Sequence, residues 1–292
     1  MTSRQPKTKK AAKRTATHRD GKTGIGFIGA GNMATALVKG LIDTGLYAPQ
    51  RIFASDVDAK QRNRIKRRFN ISVTPDNGEV LNHATIIVLA VKPQTMEDVL
   101  AALRGAVTPN HLFISIVAGI TTARIENGLG VRARVLRVMP NTPALLGKGM
   151  SVLVRGMYAT AADEKLGLKL FGAVGDAVAA PDERMLDAVT GLSGSGPAYV
   201  YRFAEAMLAG GIAAGLPGPM ARQLTIQTLV GAAAMLKETG EPPETLRAKV
   251  SSPGGTTLAG LSELEHRGFK EAVAEAVIAA TRRAQELGRG SR

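Results

Sequence analysis

Short apolar runs alternate with helical patterns between residues 24 and 180. The apolar runs predict strands at TGIGFIG, RIFASD, ISV, TIIVLAV, HLFISIV and RARVLRVM, with two late strands at MSVLVRG and GDAVAA. Apolar residues at helical spacing predict helices between them, among them MATALVKGLIDTG, AKQRNRIKRRF and TMEDVLAALRG. Near-continuous apolar strands that alternate with helices are typical of a parallel sheet covered on both faces. The pattern therefore predicts an α/β fold with a doubly wound, mostly parallel sheet.

No strand pattern follows Pro181. The remaining segments are Ala- and Leu-rich helical patterns with broad apolar faces and little else nearby to cover them. Ala-rich helices permit close approach between chains. We therefore expect an all-helical dimerisation domain at 182–292, preceded by the α/β domain at 24–181.

The charge of the chain is concentrated at its start. The formal net charge is +14, and residues 1–22 carry eight lysines and arginines against one aspartate. Such a composition cannot bury a core, which predicts a disordered basic arm at 1–23. The arm is interpreted as a solubilising tail or as a polyanion-binding segment, so nucleic acid is expected only as a non-specific partner. It lacks the apolar segment of a secretory signal.

Several classes of site are excluded by composition. The chain has no cysteine, which excludes disulfides and thiolate nucleophiles and fits a cytoplasmic location. Its four histidines lack metal-ligand spacing, so no metal site is predicted. Apolar runs such as ATIIVLAV are shorter than the about 20 residues of a membrane span, and no membrane association is expected.

A glycine-rich turn follows the first predicted strand. GAGNMA places Gly29, Gly31 and Ala34 in the spacing of the dinucleotide fingerprint, with Ala in the third small position. The first glycine allows the tight turn, the second admits a pyrophosphate, and the third small residue lets the helix pack on the strand. The N-terminus of the following helix offers N–H groups to phosphates. This context predicts a Rossmann-type sheet that binds a nicotinamide dinucleotide.

Two signals about the cofactor conflict at the end of the second strand, in ASDVDAKQR. Asp56 is placed to accept hydrogen bonds from the adenosine ribose, which favours NAD. Ser55 with Lys60 and Arg62 is placed to hold a 2′-phosphate, which favours NADP. We expect NADPH as the cofactor, with NADH also accepted.

Three further loops end strands at the same predicted edge of the sheet. AVKPQ contains Lys92, VAGI contains Gly119, and VMPNTPA places Asn141 and Thr142 between two prolines. Ligands of open α/β folds bind at this edge. The loops therefore indicate the crevice of the site.

Two stretches of small residues interrupt the helical part. In GLSGSGPAY, Gly196 and Pro197 are predicted to start a long helix that Ser193 or Ser195 caps. In SSPGGTT, the glycines precede the helical segment TLAGLSELE, so N–H donors are exposed at its N-terminus and suit a carboxylate. A dinucleotide, an anion-binding turn and no catalytic Cys or His together indicate hydride transfer onto a small carboxylic acid.

These segments together resemble the pyrroline-5-carboxylate reductase family, the last enzyme of proline synthesis. GFIGAGNMA, AVKP, VMPNTPA, GSGPAY and VSSPGGTTLAGLSELE occur in the order and approximate spacing of that family, and the resemblance covers about residues 24–288. It implies an NAD(P)H-dependent reduction of the cyclic imine 1-pyrroline-5-carboxylate to L-proline. It also implies a homodimer, with larger assemblies up to a decamer of dimers, and an active site between one subunit's cofactor domain and its partner's helical domain.

The resemblance also implies the residues of the site. The implied cofactor contacts are Ile28, Gly29, Ala30, Gly31, Asn32, Met33, Ser55, Asn77, Ala90, Val91, Lys92, Pro93, Val117, Ala118 and Gly119. The implied substrate contacts are Gly254, Gly255, Thr256 and Thr257. The catalytic role goes to the Thr257 hydroxyl, beside the ring nitrogen. As an alcohol is a poor acid, we expect it to hydrogen-bond more than to donate a full proton.

Two other functions compete with this interpretation. A β-hydroxyacid dehydrogenase would use a lysine base, for which Lys237 or Lys249 is the candidate, although neither has the usual surrounding Gly and Asn residues. A non-catalytic nucleotide-sensing or nucleic-acid-binding protein would use the basic arm instead. The SSPGGTT segment argues against the second, since a sensor needs no substrate site.

Overall fold

The computed structural model describes residues 24–289, so the predicted basic arm at 1–23 lies outside the described residues. Within them the strands are β1 (Ile25–Ile28), β2 (Ile52–Ser55), β3 (Ser72–Thr74), β4 (Ile86–Leu89), β5 (Leu112–Ser115), β6 (Arg134–Met139), β7 (Gly149–Arg155) and β8 (Gly175–Ala179). They form one sheet in the order β3-β2-β1-β4-β5-β6-β7-β8. Strands β1 to β6 are parallel, β7 is antiparallel to β6, and β8 is parallel to β7.

Helices cover both faces of this sheet. The helices of the first part are α1 (Asn32–Asp43), α2 (Ala59–Phe69), α3 (Asn77–His83), α4 (Met96–Leu103), α5 (Thr122–Leu129) and α6 (Ala161–Gly172). Successive side chains of a strand point to opposite faces, so Phe27 packs in the core under α1, α2 and α6, whereas Ile28 packs in the core under α3, α4 and α5. The predicted Rossmann-type, doubly wound, mostly parallel sheet is confirmed.

Local signals set several helix ends beside the sheet. The Asp58 side chain accepts a hydrogen bond from the Lys60 N–H and starts α2, which ends at Asn70 in the left-handed conformation (φ 54°). Thr160 and Asp163 form a reciprocal capping box at the start of α6. These caps place the start of α2 directly after β2, at the carboxyl edge of the sheet.

The chain after Pro181 is helical, as predicted. Its helices are α7 (Met185–Val189), α8 (Gly196–Ala213), α9 (Gly218–Thr239), α10 (Pro243–Lys249), α11 (Thr256–His266) and α12 (Phe269–Arg289). Helix α12 packs against α7 and the turn that follows it. By contrast, α8, α10 and α11 bury no residue. Within residues 24–289 no helix is both long and apolar enough to cross a membrane.

The predicted helix start at GLSGSGP is confirmed, since α8 begins at Gly196 with Pro197 in its first turn, but the predicted side-chain cap is wrong. Residues Thr190–Gly194 form a π-helical turn that continues α7, and neither Ser193 nor Ser195 caps α8 with its side chain. Gly191 and Gly194 allow the turn to pack closely against its neighbours. A Cβ on Gly191 would lie 2.6 Å from the Val277 carbonyl oxygen in α12, and one on Gly194 would lie 2.7 Å from the end of the Met139 side chain. The small residues therefore let this turn fit between α12 and the sheet.

Candidate active site

The glycine-rich turn joins two loops at the carboxyl edge of the sheet. Gly29 has a φ of +100°, and a Cβ there would lie 2.5 Å from the Ala90 carbonyl oxygen. The Ala90 N–H donates to the Ile28 carbonyl (2.8 Å), and the Gly29 N–H donates to the Ser55 carbonyl (2.8 Å). Only glycine fits this close approach, which holds the ends of β1, β2 and β4 together.

The space in front of α1 suits a pyrophosphate. Gly31 is the N-cap residue of α1 and supplies no capping side chain. A Cβ built on it would meet no heavy atom within 4 Å and would project into open space, whereas Ala34 is fully buried between α1 and the sheet. The first N–H groups of α1, from Asn32 and Met33 onward, have no acceptor within the helix. These residues therefore fit a dinucleotide.

Ser55 and Asn77 come together from different elements. The buried Ser55 hydroxyl, at the end of β2, donates to the Asn77 amide oxygen at the start of α3 (2.6 Å). This bond connects the ends of β2 and β3, beside the glycine-rich turn. Among residues 24–289 the amide NH₂ of Asn77 has no side-chain hydrogen-bond acceptor.

Asp56 braces the glycine-rich turn. One of its carboxylate oxygens accepts the Ala30 N–H (2.8 Å) and the other accepts the Asp58 N–H (2.9 Å). Arg62 donates to the carbonyl oxygens of Asp56 (2.6 Å) and Val57 (3.0 Å). Asp56 and Arg62, two of the four residues that bear on the choice between NAD and NADP, thus stabilise the local backbone.

The other predicted cofactor loops lie at the same edge. The Ile116 N–H donates to the Leu89 carbonyl (3.1 Å), which brings the loop after β5 beside the loop after β4. Val91 is half-buried and Lys92 is exposed at the start of a 3₁₀ turn beginning at Pro93. Val117 is buried and Ala118 is exposed. The fold therefore gathers all the predicted cofactor residues, Ile28 to Gly119, at one edge.

The end of α12 reaches this edge, which the sequence did not indicate. Gly119 has a φ of +75°, and a Cβ on it would lie 3.7 Å from the Leu287 carbonyl. A pocket of about 310 Å³ lies beside this contact, and Gly119, Thr121, Gln285 and Gly288 are among the residues that line it. The last turn of the chain's final described helix thus borders the loop predicted to approach the nicotinamide.

A partly buried ion pair connects the sheet to the helical region, residues 183–289. Glu183 accepts the N–H and hydroxyl of Thr122 (both 2.9 Å) and pairs with Arg137 of β6 (2.9 Å). Only 9% of the Arg137 side chain is exposed. Nearby, burial raises the pKa of the Glu126 carboxyl, although the Met157 N–H donates to it (2.9 Å). No sequence motif marked these residues, since their partners are far apart in the chain.

Asn141 of VMPNTPA makes a second connection. Its amide NH₂ donates to the Ser193 carbonyl in the π-helical turn (3.2 Å), and its amide oxygen accepts the Met150 N–H (2.9 Å). The loop after β6 is thereby held against both β7 and the helical region. Asn141 therefore has a structural role in addition to its predicted place at the edge of the crevice.

The SSPGGTT segment forms a tight turn ahead of α11. Gly254 has a φ of +71°, and the Gly255 N–H donates to the Ser252 carbonyl (3.0 Å). A Cβ on Gly255 would lie 2.6 Å from the Ser252 hydroxyl, which can rotate, and 3.0 Å from the Ser252 carbonyl oxygen, so a larger residue there would require the turn to shift. Since the Gly255 N–H is engaged, the donors without an intrahelical acceptor begin at Thr256 and Thr257. Thr257 is half-buried in the first turn of α11.

Within one chain the two halves of the predicted site are not joined. The hydrogen bonds and ion pairs that residues 250–268 make with other described residues stay in the helical region, for example from the Ser251 hydroxyl to the Arg247 carbonyl (2.7 Å). The main neighbour of α11 is α12. The residues Gly254, Gly255, Thr256 and Thr257 therefore stand apart from the glycine-rich turn.

The lysines of the competing dehydrogenase interpretation lie at the surface in ion pairs. Lys237 pairs with Asp176 (2.8 Å) and Lys249 pairs with Glu241 (2.6 Å). Lys237 is 71% exposed. Neither lysine forms a hydrogen bond or ion pair with the described residues of the loops after β1, β2, β4 and β5, so the structure gives no support for either as a base beside a nicotinamide.

Two protein-family models match the chain. The model for pyrroline-5-carboxylate reductase dimerisation matches residues 183–287. The model for NADP oxidoreductase, coenzyme F420-dependent, matches residues 24–119. The first match covers most of the helical region and indicates a homo-oligomer. The second match covers the first five strands of the sheet.

Named relatives and solved structures match almost the whole chain. The pyrroline-5-carboxylate reductases of Synechocystis sp. and Methanosarcina acetivorans are 44% and 43% identical, each over 91% of this chain and 98% of the relative. A Coxiella burnetii pyrroline-5-carboxylate reductase structure matches with a TM-score of 0.86 and 36% identity, over 91% of this chain and 98% of that one. The Plasmodium falciparum pyrroline carboxylate reductase with NADP bound gives 0.82 and 31%, with the same coverage. By this similarity the chain belongs to the pyrroline-5-carboxylate reductase family.

Proposed function

We propose that this protein reduces 1-pyrroline-5-carboxylate to L-proline with NADPH, and that it also accepts NADH. The observation that carries the proposal is the similarity to named reductases over nine-tenths of the chain, which includes both the glycine-rich turn and SSPGGTT. The protein is an oxidoreductase that acts on a C=N bond, in the last step of proline biosynthesis.

The cofactor half of the site is the carboxyl edge of the sheet. The proposed contacts of the pyrophosphate are the N–H groups from Gly29 to Met33, since the open space over Gly31 leads to the N-terminus of α1. Ser55 and Asn77 hold the adenosine side. The loops Ala90–Pro93 and Val117–Gly119 hold the nicotinamide side. When bound, NAD(P)H supplies a hydride to the C=N carbon of the imine.

The substrate half is the turn before α11. A carboxylate placed there accepts hydrogen bonds from the Thr256 and Thr257 N–H groups and lies at the positive end of the α11 dipole. Gly254 and Gly255 shape the turn and leave room for the ligand. This arrangement fixes one end of the cyclic imine, so that its C=N carbon faces the cofactor half.

Thr257 acts on the ring nitrogen. Negative charge develops there as the carbon is reduced, and a hydroxyl donor at that atom stabilises it. An alcohol does not give up its proton at neutral pH. Thr257 therefore orients and polarises the imine, while solvent supplies the proton or the nitrogen is protonated before the hydride arrives. Positioning and one hydrogen bond are then the main contributions of the protein.

Each site is shared between two protomers. The turn before α11 makes no hydrogen bond with the described residues of the sheet region, and the apolar faces of the helical region are exposed. A dimer that covers those faces and brings the Thr257 turn of one protomer to the sheet edge of its partner completes the site. The domain boundary at 181/182, a larger assembly such as a decamer of dimers and a cytoplasmic location stay predictions.

The first test measures NADPH and NADH oxidation with 1-pyrroline-5-carboxylate. We expect turnover by the wild type and a roughly 100-fold lower kcat for Thr257→Ala, the usual scale for losing a polarising donor. Thr257→Ser keeps the hydroxyl and is expected to stay within about tenfold of the wild type. A folded wild type that oxidises neither cofactor would refute the proposal and favour a nucleotide sensor.

A further inference from the structure

Glu183 joins the helical region to the loop Val117–Gly119, which holds the nicotinamide in the proposed function. Its carboxylate accepts the N–H and the hydroxyl of Thr122 (both 2.9 Å), 61 residues earlier in the chain. Thr122 is the first residue of α5, and only Ile120 and Thr121 separate it from the loop. A contact made by the helical region therefore lies directly beside a proposed cofactor loop of the same chain.

The Glu183 carboxylate is fixed at the N-terminus of α5. The first N–H groups of a helix have no acceptor within the helix, and the positive end of the helix dipole favours an anion there. The cap residue Thr121 accepts the Arg124 N–H with its side chain. The Thr122 N–H needs another acceptor, which Glu183 supplies. Arg137 of β6 pairs with the same carboxylate (2.9 Å), so three donors hold it in place.

The position of the loop depends on the helical region as well as on the sheet. Burial of Val117 and Ile120, which are 3% and 2% exposed, holds the two ends of the loop against the sheet. Gly119 between them is half-buried, and a Cβ on it would lie 3.7 Å from the Leu287 carbonyl at the end of α12. Gly119 and Glu183 line the same pocket. The helical region thus reaches the loop both at its tip and through α5.

We propose that Glu183 is a positioning residue for the cofactor, which fixes the loop Val117–Gly119 against the nicotinamide ring by holding Thr122. A displacement of about 1 Å at a reacting group is enough to lower a rate about 100-fold, so a loop that binds the ring needs such support. In this role Glu183 acts through the backbone of α5 without touching the cofactor. The inference rests on the proposed function in that the nicotinamide lies on this loop. It adds that the helical region of each protomer serves the cofactor of its own chain.

The test compares the binding of two ligands to the full-length protein by calorimetry. They are NADPH and 2′-phospho-ADP-ribose, which is the same dinucleotide without the nicotinamide ring. Glu183→Ala removes the acceptor for Thr122 and is expected to weaken NADPH binding about tenfold, the usual scale of one charged hydrogen bond. The affinity for 2′-phospho-ADP-ribose is expected to stay at the wild-type value, because that ligand does not reach the loop. Glu183→Gln keeps an oxygen for the Thr122 N–H and is expected to recover most of the NADPH affinity.

Two further variants complete the test. Thr122→Val removes one hydrogen bond and leaves the pair of Glu183 with Arg137 intact, so we expect a smaller loss of NADPH affinity, about threefold. If Glu183→Ala does not fold, Thr122→Val decides by the same comparison of the two ligands. Glu97→Ala is the matched control, since it removes a carboxylate that pairs with Arg124 of the same helix (2.6 Å). It is expected to leave both affinities at the wild-type values.

The outcomes separate this inference from its alternatives. An unchanged NADPH affinity in Glu183→Ala would overturn it, and so would an equal loss for both ligands, which would indicate a general weakening of the sheet edge. The same selective loss in Glu97→Ala would overturn it too, because any disturbance of α5 would then suffice. In steady-state kinetics Glu183→Ala is expected to raise the KM for NADPH and to leave the KM for the imine unchanged. If Glu183→Ala selectively loses NADPH affinity but the wild type does not reduce 1-pyrroline-5-carboxylate, the role of Glu183 stands and the proposed function fails.

Discussion

The sheet region, residues 24–180, and the helical region, residues 183–289, bury their apolar side chains very differently. Every residue of β1, β4 and β5 is buried, whereas α8 and α11 bury none. In the helical region Val200, Leu224 and Val230 are 51%, 51% and 57% exposed. The sheet region thus completes its core within one chain, whereas the helical region leaves apolar side chains exposed that the proposed dimer would cover.

The difference follows from chain connectivity. Each strand–helix–strand unit of the sheet region folds its own helix onto the sheet, so both faces are covered by neighbouring sequence. The long helices α8 and α9 lie against each other, but two Ala-rich helices cannot enclose the apolar surface that they carry. An exposed apolar surface of this extent marks an interface with another protein.

The largest effect is expected from a charge placed in the helical surface, which is the exposed apolar surface of α8, α9 and α12. Val200 lines an apolar groove of about 830 Å³ between α8, α9 and α12. Val200→Arg places an unpaired charge in that surface, which costs several kcal/mol when buried in a dimer. We expect a monomer by light scattering and at least a roughly 100-fold loss of turnover, because the two half-sites separate.

The matched control for that change lies in the sheet region. Met157 is 80% exposed outside the helical surface. Met157→Arg is expected to leave both the molecular mass and the turnover at wild-type values. A Val200→Arg protein that stays dimeric and active would show that the helical surface is not the interface.

The next effect is expected in the core of the sheet region. Phe113 of β5 is fully buried. Phe113→Ala is expected to lower the free energy of unfolding by about 3–5 kcal/mol, measured by urea denaturation, without changing the oligomeric state. Phe269→Ala, made in the monomeric Val200→Arg protein, is expected to lower the free energy of unfolding by less than half of that amount. Phe269 is already 40% exposed in the single chain. Equal costs would contradict the contrast between the two regions.

The smallest effect is expected at the junction of the regions. Glu183→Gln keeps an acceptor for the Thr122 N–H but leaves Arg137 without its counter-charge. We expect the free energy of unfolding to fall by about 1–3 kcal/mol. Glu97, which pairs with Arg124 at the surface, provides the comparison, and Glu97→Gln should cost less than about 1 kcal/mol. A similar cost for both would show that burial of the junction pair contributes nothing.

The cofactor side of the site could be predicted well from the sequence because its signals are local. Gly29 must adopt a positive φ, Gly31 must leave open space, and Ala34 must be small, and all three requirements occur within six residues. The strand pattern then places the later loops at the same edge, because the carboxyl ends of parallel strands coincide.

Other features could not be predicted because they depend on distant partners. GLSGSGP predicts the start of α8 at Gly196 correctly, but nothing in its composition indicates the π-helical turn before it, which fits against α12 and Met139. Asp56 has the spacing of a ribose ligand, but that spacing does not indicate its contact with the Ala30 N–H across the β1 turn. Both features depend on contacts between residues that are far apart in the chain.

By itself, the sequence determined the order of strands and helices, the glycine-rich turn and the turn before α11, since periodicity and backbone requirements act over a few residues. Only the tertiary structure decided which charged groups meet. Arg137 and Glu183 are 46 residues apart, and Arg64 and Ala30 are 34 apart. Such pairs form only after the sheet has assembled, because packing of the whole fold sets the direction of each side chain.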